Sequence, residues 1–174
     1  MSLVGEKAPE WSAAAFLRGE KTALDSNSLA GRWYVIFWYP LDFTFVCPTE
    51  LNGFQELSEE FEDDDIALIG ASTDSFYSHK AWFADRKTFP DEITFPVIAD
   101  TNHSVAAAFG VLNKDEGVAY RAVVIVDDEG IIRSLSINDL DVGRSPKEIL
   151  RTTQAFLSGG LCGADWKKGD SFVG

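Results

Sequence analysis

The chain has 174 residues, enough for one domain with its own core, and a 45% hydrophobic content typical of globular rather than disordered proteins. Its 28 acidic and 15 basic residues leave a formal charge of −13, which argues against nucleic acid or an anionic membrane as partner, because both select basic surfaces. No stretch is long and apolar enough for a bilayer, and residues 1–7 lack the basic and hydrophobic regions of a secretion signal, so a soluble, cytoplasmic protein is expected. In a reducing compartment the two cysteines, Cys47 and Cys162, are not expected to form a static bridge, and any disulfide would be transient and catalytic.

Residues 1–30 read as a lead-in of short strands, ending in a turn-rich stretch over 24–31. Residues 32–39 are apolar on both faces and mostly β-branched or aromatic, which predicts a strand buried on both sides. Leu51, Phe54, Leu57 and Phe61 recur at spacings of three and four and predict one helix carrying an apolar stripe, closed by Asp63, Asp64 and Asp65 as solvated surface. Residues 66–72 form a second buried strand; Asp74 or Ser75 then caps a helix through His79, Trp82 and Phe83. A short strand over 95–100 leads to a helix begun by Asn102 and ended by Gly110. Residues 121–126 and 131–137 read as two strands of a hairpin, and Ser145 and Pro146 open a last helix that Gly159 and Gly160 end. There is no repeat and no linker, so residues 1–174 are one domain, with 159–174 as its tail.

Cys47 falls where the first long strand gives way to the helix, with Pro48 suited to the first helical position because it lacks an N–H. A thiol there meets the positive end of the helix dipole and free backbone N–H groups, both of which favour the reactive thiolate. By position alone Cys47 serves equally well as a small buried hydrophobe. Its neighbours tell more. Thr44 lies three residues earlier, within reach of the sulfur or of a substrate oxygen, and Pro40 fixes the chain entering the turn. Pro40-x-x-x-Thr44-x-x-Cys47, extended through Pro48, Thr49 and Glu50, resembles the active-site signature of the peroxiredoxins, of the typical two-cysteine, alkyl hydroperoxide reductase C or thioredoxin peroxidase type.

The order of elements, together with that resemblance, implies an α/β thioredoxin-like fold: a central mixed sheet flanked by helices, with a C-terminal extension that carries a resolving cysteine. The implied activity is reduction of hydrogen peroxide and organic hydroperoxides through a sulfenic acid at Cys47. Arg121 opens a Val-rich strand and by its residues alone is either an exposed strand end or a functional cation. The resemblance makes it the active-site arginine, which with Thr44 and the Cys47 N–H would hold the peroxide oxygens in line. Glu50, otherwise an ordinary first-turn acid, would bridge to that arginine, and Arg144, otherwise a surface loop charge, would belong to the same network. Cys162, in a polar glycine-rich tail, matches the family's resolving cysteine, implying a disulfide with Cys47 of another subunit. The implied partners are a thioredoxin or a dedicated dithiol or flavoprotein reductase, and further copies of the chain as a homodimer and a ring of dimers such as a decamer. No cofactor is required, and His79 and His103 have no metal-ligand spacing; His79 and Trp82 are expected in packing or at a dimer–dimer surface.

The chain lacks the glycine-rich and Tyr-Phe motifs associated with easily over-oxidised members of the family, which implies a loose C-terminus. Two rivals share the architecture or composition. A thioredoxin-like disulfide oxidoreductase would need Cys-x-x-Cys, but Glu50 holds the fourth position. A ring-forming holdase chaperone would suit the aromatic content, yet leaves Thr44, Arg121 and Cys162 without a common purpose.

Overall fold

A computed structural model describes residues 3–174. Strands β1 (Ser12–Leu17) and β2 (Glu20–Asp25) form a hairpin ahead of β3 (Tyr34–Trp38). Helices α1 (Cys47–Glu56) and α2 (Ser58–Asp63) follow, then β4 (Ala67–Ser72), α3 (Phe76–Phe83), β5 (Val97–Ala99) and α4 (Ser104–Ala108). A small ribbon of β6 (Leu112–Asn113) and β7 (Val118–Ala119) precedes β8 (Arg121–Val126), β9 (Ile132–Asn138) and α5 (Pro146–Leu157). Seven strands form one mixed sheet in the order β2-β1-β5-β4-β3-β8-β9, with β3, β4 and β5 parallel and β8 antiparallel to β3. Among the described residues no helix is long and apolar enough to cross a membrane.

The pleat of β3 divides its side chains between two cores, as strand geometry requires. Val35 and Phe37 face one side with Leu51, Phe54, Trp82, Phe83 and Leu150. Tyr34, Ile36 and Trp38 face the other with Val105, Phe109 and Val124. Phe37 stacks on Phe54 of α1 with centroids 3.9 Å apart, which ties the helix start to the sheet. Gly70 makes room for this pair, since a Cβ there would come within 3.2 Å of the Phe37 ring.

Helix α1 packs against the start of α5 through Gly53, where a Cβ would lie 2.9 Å from the Pro146 ring. Alanine normally gains about 1 kcal/mol over glycine inside a helix, but overpacking against a rigid ring costs about 1–3 kcal/mol. Gly53→Ala is therefore expected to lower the melting temperature by a few degrees, and a calorimetric scan showing a rise would refute this account of the contact.

Several sequence expectations need correction. The helix over 51–61 breaks at Leu57, because the Ser58 hydroxyl takes the Gln55 carbonyl at 2.8 Å, an acceptor that an uninterrupted helix would give to residue 59. Asp64 is not simple solvated surface: its side chain is largely covered and accepts from Gln154 Nε2 at 2.8 Å and from Lys168. Of the two expected caps for α3 it is Ser75 that serves, whereas α4 begins not at Asn102 but at Ser104, after His103 enters the left-handed region at φ 62°. The C-terminal tail is anchored at one residue. Trp166 is buried, stacks on Phe172 at 6.0 Å, and lends its carbonyl to Arg151 at 2.8 Å. Most of its neighbours in the tail are exposed.

Candidate active site

The ladder of β3 continues one residue past the strand, with the Tyr39 N–H donating to the Ala71 carbonyl at 3.0 Å. Pro40, buried and without an N–H, ends it. Residues 40–46 then form an irregular loop, so Thr44 does not lie one helical turn before Cys47. Phe43, just before Thr44, is itself left-handed at φ 58°, so no helix runs through it. The helix starts at Cys47 itself, with Pro48 one position further in than expected; both tolerate the missing donor.

Cys47 is fully buried, and its sulfur lies 3.5 Å from Nη1 of Arg121. Arg121 is the first residue of β8, buried despite its charge, with two of its three nitrogens engaged. The same Nη1 gives 2.7 Å to Glu50 Oε2, and Nε donates to the Leu140 carbonyl at 2.5 Å. Glu50, one helical turn into α1, faces a second guanidinium. Arg144 donates from Nε to Oε1 at 2.8 Å and from Nη2 to Oε2 at 3.0 Å, while its backbone N–H reaches Oε1 at 2.7 Å. Arg144 Nη1 also donates to the Ala122 carbonyl at 2.5 Å, and its guanidinium lies 5.9 Å from the Phe37 ring centroid. Burial would push the Glu50 carboxyl up, but the hydrogen bonds and charge of Arg144, with the charge of Arg121, hold it below its ordinary value.

The charge count is informative. Two buried guanidinia face one buried carboxylate, so one positive charge is left over, and it points at the Cys47 sulfur. An anion at that sulfur balances the cluster. Among the described residues Nη2 of Arg121 makes no hydrogen bond, which leaves donors for an incoming oxygen. The Thr44 hydroxyl gives its proton to the Leu41 carbonyl at 2.9 Å, so its remaining offer to a substrate is a lone pair.

The structure thus brings Cys47, Glu50, Arg121 and Arg144 together, with Pro40 and Thr44 on the loop leading to them. Cys162 lies elsewhere, after α5, with its sulfur 3.3 Å from Ser158 Oγ and 3.5 Å from the Ala155 carbonyl; both cysteines are free. It opens onto a groove of about 690 Å³ lined by Trp33, Phe156, Leu161 and Val173 among others. Sequence reasoning missed the Leu140 carbonyl, whose role depends on backbone and leaves no residue signature. It also placed His79 in packing without finding its partners. His79 is fully buried, with Nδ1 2.8 Å from Asp42 on the active-site loop.

A family model described as the AhpC/TSA family matches residues 4–135. "Peroxiredoxin prdx-2" of Caenorhabditis elegans is 40% identical over 178 residues, covering 99% of this chain and 89% of that protein. "Thioredoxin peroxidase" of Echinococcus granulosus is 39% identical over 174 residues, covering 97% of this chain and 90% of that one. The crystal structure of reduced 2-Cys peroxiredoxin from Plasmodium vivax superposes with a TM-score of 0.91 at 33% identity, covering 98% of this chain and 92% of its own. Its sheet and flanking helices share the thioredoxin-like arrangement described above. Together with the buried thiol held against an arginine, these similarities mean that the chain belongs to the AhpC/TSA family and is a peroxiredoxin, a thiol-dependent peroxidase.

Proposed function

We propose that Cys47 is the peroxidatic thiol, carried by one observation above the others: the Arg121 guanidinium bonds its sulfur and Glu50 at once, in a buried site. The thiolate attacks one peroxide oxygen, forming the S–O bond as the O–O bond breaks. The sulfur is oxidised to sulfenic acid, and the leaving oxygen departs as water or alcohol after taking up a proton. Negative charge grows on that oxygen in the transition state, where the free Arg121 N–H groups and the N–H groups at the start of α1 can meet it. The Thr44 lone pair accepts the peroxide O–H and so orients the attacked oxygen. Glu50 and Arg144 hold Arg121 in place. Hydrogen peroxide and organic hydroperoxides are the substrate class.

Cys162 is proposed to resolve the sulfenic acid. Within one chain its bonds run to the end of α5 and not to the Cys47 cluster, which supports a disulfide between two copies with loss of water. The apolar groove beside it gives a second copy a surface to meet. An external dithiol protein, a thioredoxin or a dedicated flavoprotein reductase, would then return both thiols by exchange; the Echinococcus relative is named a thioredoxin peroxidase. A homodimer, assembled further into rings such as decamers, and a cytoplasmic location complete the reading. Glu50 stands where a thioredoxin-type oxidoreductase would need its second cysteine, and it is fully engaged by two arginines, so that alternative is not favoured.

Intact mass under non-reducing conditions, after one equivalent of hydrogen peroxide, tests both cysteines. The wild type is expected to form a covalent dimer, and Cys162→Ser a monomer gaining one oxygen. Oxidised wild-type monomer without crosslinking would remove Cys162 from its role, and an unreactive wild type would remove Cys47.

A further inference from the structure

The loop that delivers Cys47 is fastened from behind by a buried polar cluster that the peroxidase chemistry does not use. Asp42, the residue before the left-handed Phe43, has its carboxylate turned inward and fully covered. Tyr39 Oη donates to Oδ1 at 2.8 Å, and His79 Nδ1 lies 2.8 Å from Oδ2. The Asp42 N–H donates to Asp74 Oδ2 at 2.8 Å, and the Ser72 hydroxyl reaches the same oxygen at 2.9 Å. His79 Nε2 lies 3.2 Å from the Ile98 carbonyl, and its ring stacks 5.7 Å from Phe83. The titratable groups facing this imidazole are therefore Asp42 and Tyr39, with Asp74 behind them; β5 offers only a carbonyl and α3 an aromatic ring.

Counting donors decides the protonation. The Ile98 carbonyl can only accept, so Nε2 carries a hydrogen. A carboxylate at Asp42 can also only accept, and then Nδ1 must carry one as well. The alternative is a neutral Asp42 carboxyl donating to Nδ1. Both arrangements contain the same proton between Nδ1 and Oδ2, one more than a neutral histidine beside an ionised aspartate would hold. Tyr39 does not replace it. Its hydroxyl lies 3.4 Å from Nδ1 but 2.8 Å from Oδ1, which its one proton serves, so Oδ2 still faces Nδ1 at 2.8 Å with no proton from tyrosine between them. Burial together with the Asp42 charge pushes that hydroxyl well above its ordinary value. Asp74 cannot donate in its place either, since its facing oxygen is accepting from Asp42 N–H and Ser72.

We propose that the proton shared by His79 and Asp42 locks the turn over residues 41–44, and that these two are positioning residues for the peroxidase reaction. The turn needs a lock: a non-glycine residue at φ 58° is strained, and Phe43 relaxes if its neighbours release it. Asp42 clamps one side, and the Thr44 hydroxyl on Leu41 closes the other. With the proton gone, a carboxylate oxygen faces a nitrogen lone pair at 2.8 Å and the clamp repels. Phe43 then relaxes and displaces Thr44 and the start of α1 that carries Cys47. The inference rests on Cys47 being the reacting thiol.

Asp42→Asn separates this from a structural role. Asparagine keeps the shape, accepts Tyr39 on its oxygen, and donates from its nitrogen to a neutral His79, so its clamp needs no extra proton. In the wild type the rate constant for Cys47 oxidation, followed by stopped-flow fluorescence, is expected to fall roughly 10²-fold on an alkaline limb, as for a catalytic group displaced by about an ångström. A downfield proton shared with 15N-labelled His79 should vanish at the same pH. Asp42→Asn should stay flat across that limb, and Asp42→Ala should be slow at every pH. The same alkaline limb in Asp42→Asn, or loss of the shared proton without loss of rate, would overturn the proposal. Should Cys47→Ser still consume peroxide, the assignment of Cys47 fails, while the His79 resonance in that variant reports on the proton independently.

Discussion

Replacing Arg121 with methionine is expected to slow oxidation of Cys47 by hydrogen peroxide by about 10³-fold while leaving the protein folded. The size follows from the chemistry. Removing one preorganised donor to a developing oxyanion typically costs about 10²–10³ in rate, and Arg121 supplies both such donors and the positive charge that the cluster directs at the sulfur. The fold should survive because Glu50 keeps its contacts with Arg144 at 2.7, 2.8 and 3.0 Å. Arg121→Lys should fall between wild type and methionine. Lysine retains the charge, but a single ammonium cannot span the Leu140 carbonyl, Glu50 and the sulfur as the rigid fork does. Rates measured by competition against a known peroxidase decide the matter. A methionine variant within threefold of wild type would remove Arg121 from the chemistry.

Glu50→Gln should damage stability more than any other single change in the site. Two guanidinia would then share a buried space with no carboxylate between them. Breaking a buried pair by removing one partner costs about 3–5 kcal/mol, which for a chain of this size corresponds to a fall in melting temperature of roughly 10 °C or more. The pH dependence carries a sign. The Glu50 carboxyl is held below its ordinary value of 4.5 in the folded state, so its contribution is fully present above that value. It is lost as pH falls through the lower, folded-state value. The stability gap between wild type and Glu50→Gln should therefore be widest near neutrality and close in acid, below the ordinary carboxylate range. A gap that persists unchanged well below that range in urea titrations would show that the ionised pair is not what stabilises this corner.

Much of the fold was legible because it is written locally. The β-branched and aromatic run before Pro40 marks β3, the Asp127–Gly130 turn joins β8 to β9, and Ser145-Pro146 opens α5. The break at Leu57 was not, because it depends on a serine hydroxyl competing for a carbonyl, which periodicity does not register. The site divides the same way. Cys47 at a helix start could be read from its neighbours, and its arginines were assigned by family resemblance. Glu50 and Arg144 stand 94 residues apart, and no spacing rule joins them. Asp42 and His79, 37 residues apart, bear no pattern at all. Their meeting is a product of β3 and α3 packing on one face of the sheet.

The excess of negative charge has a kinetic corollary. A chain at −13 presents a repulsive potential to anions at long range, whereas the positive charge beside the Cys47 sulfur is sealed in the interior. Screening shortens such a potential to about 10 Å at 0.1 M ionic strength. Neutral hydrogen peroxide crosses it unaffected and arrives by diffusion alone. An oxidant bearing a carboxylate or a phosphate must climb it before the arginine can attract it. Charge, applied at a distance, therefore sorts peroxides before shape does.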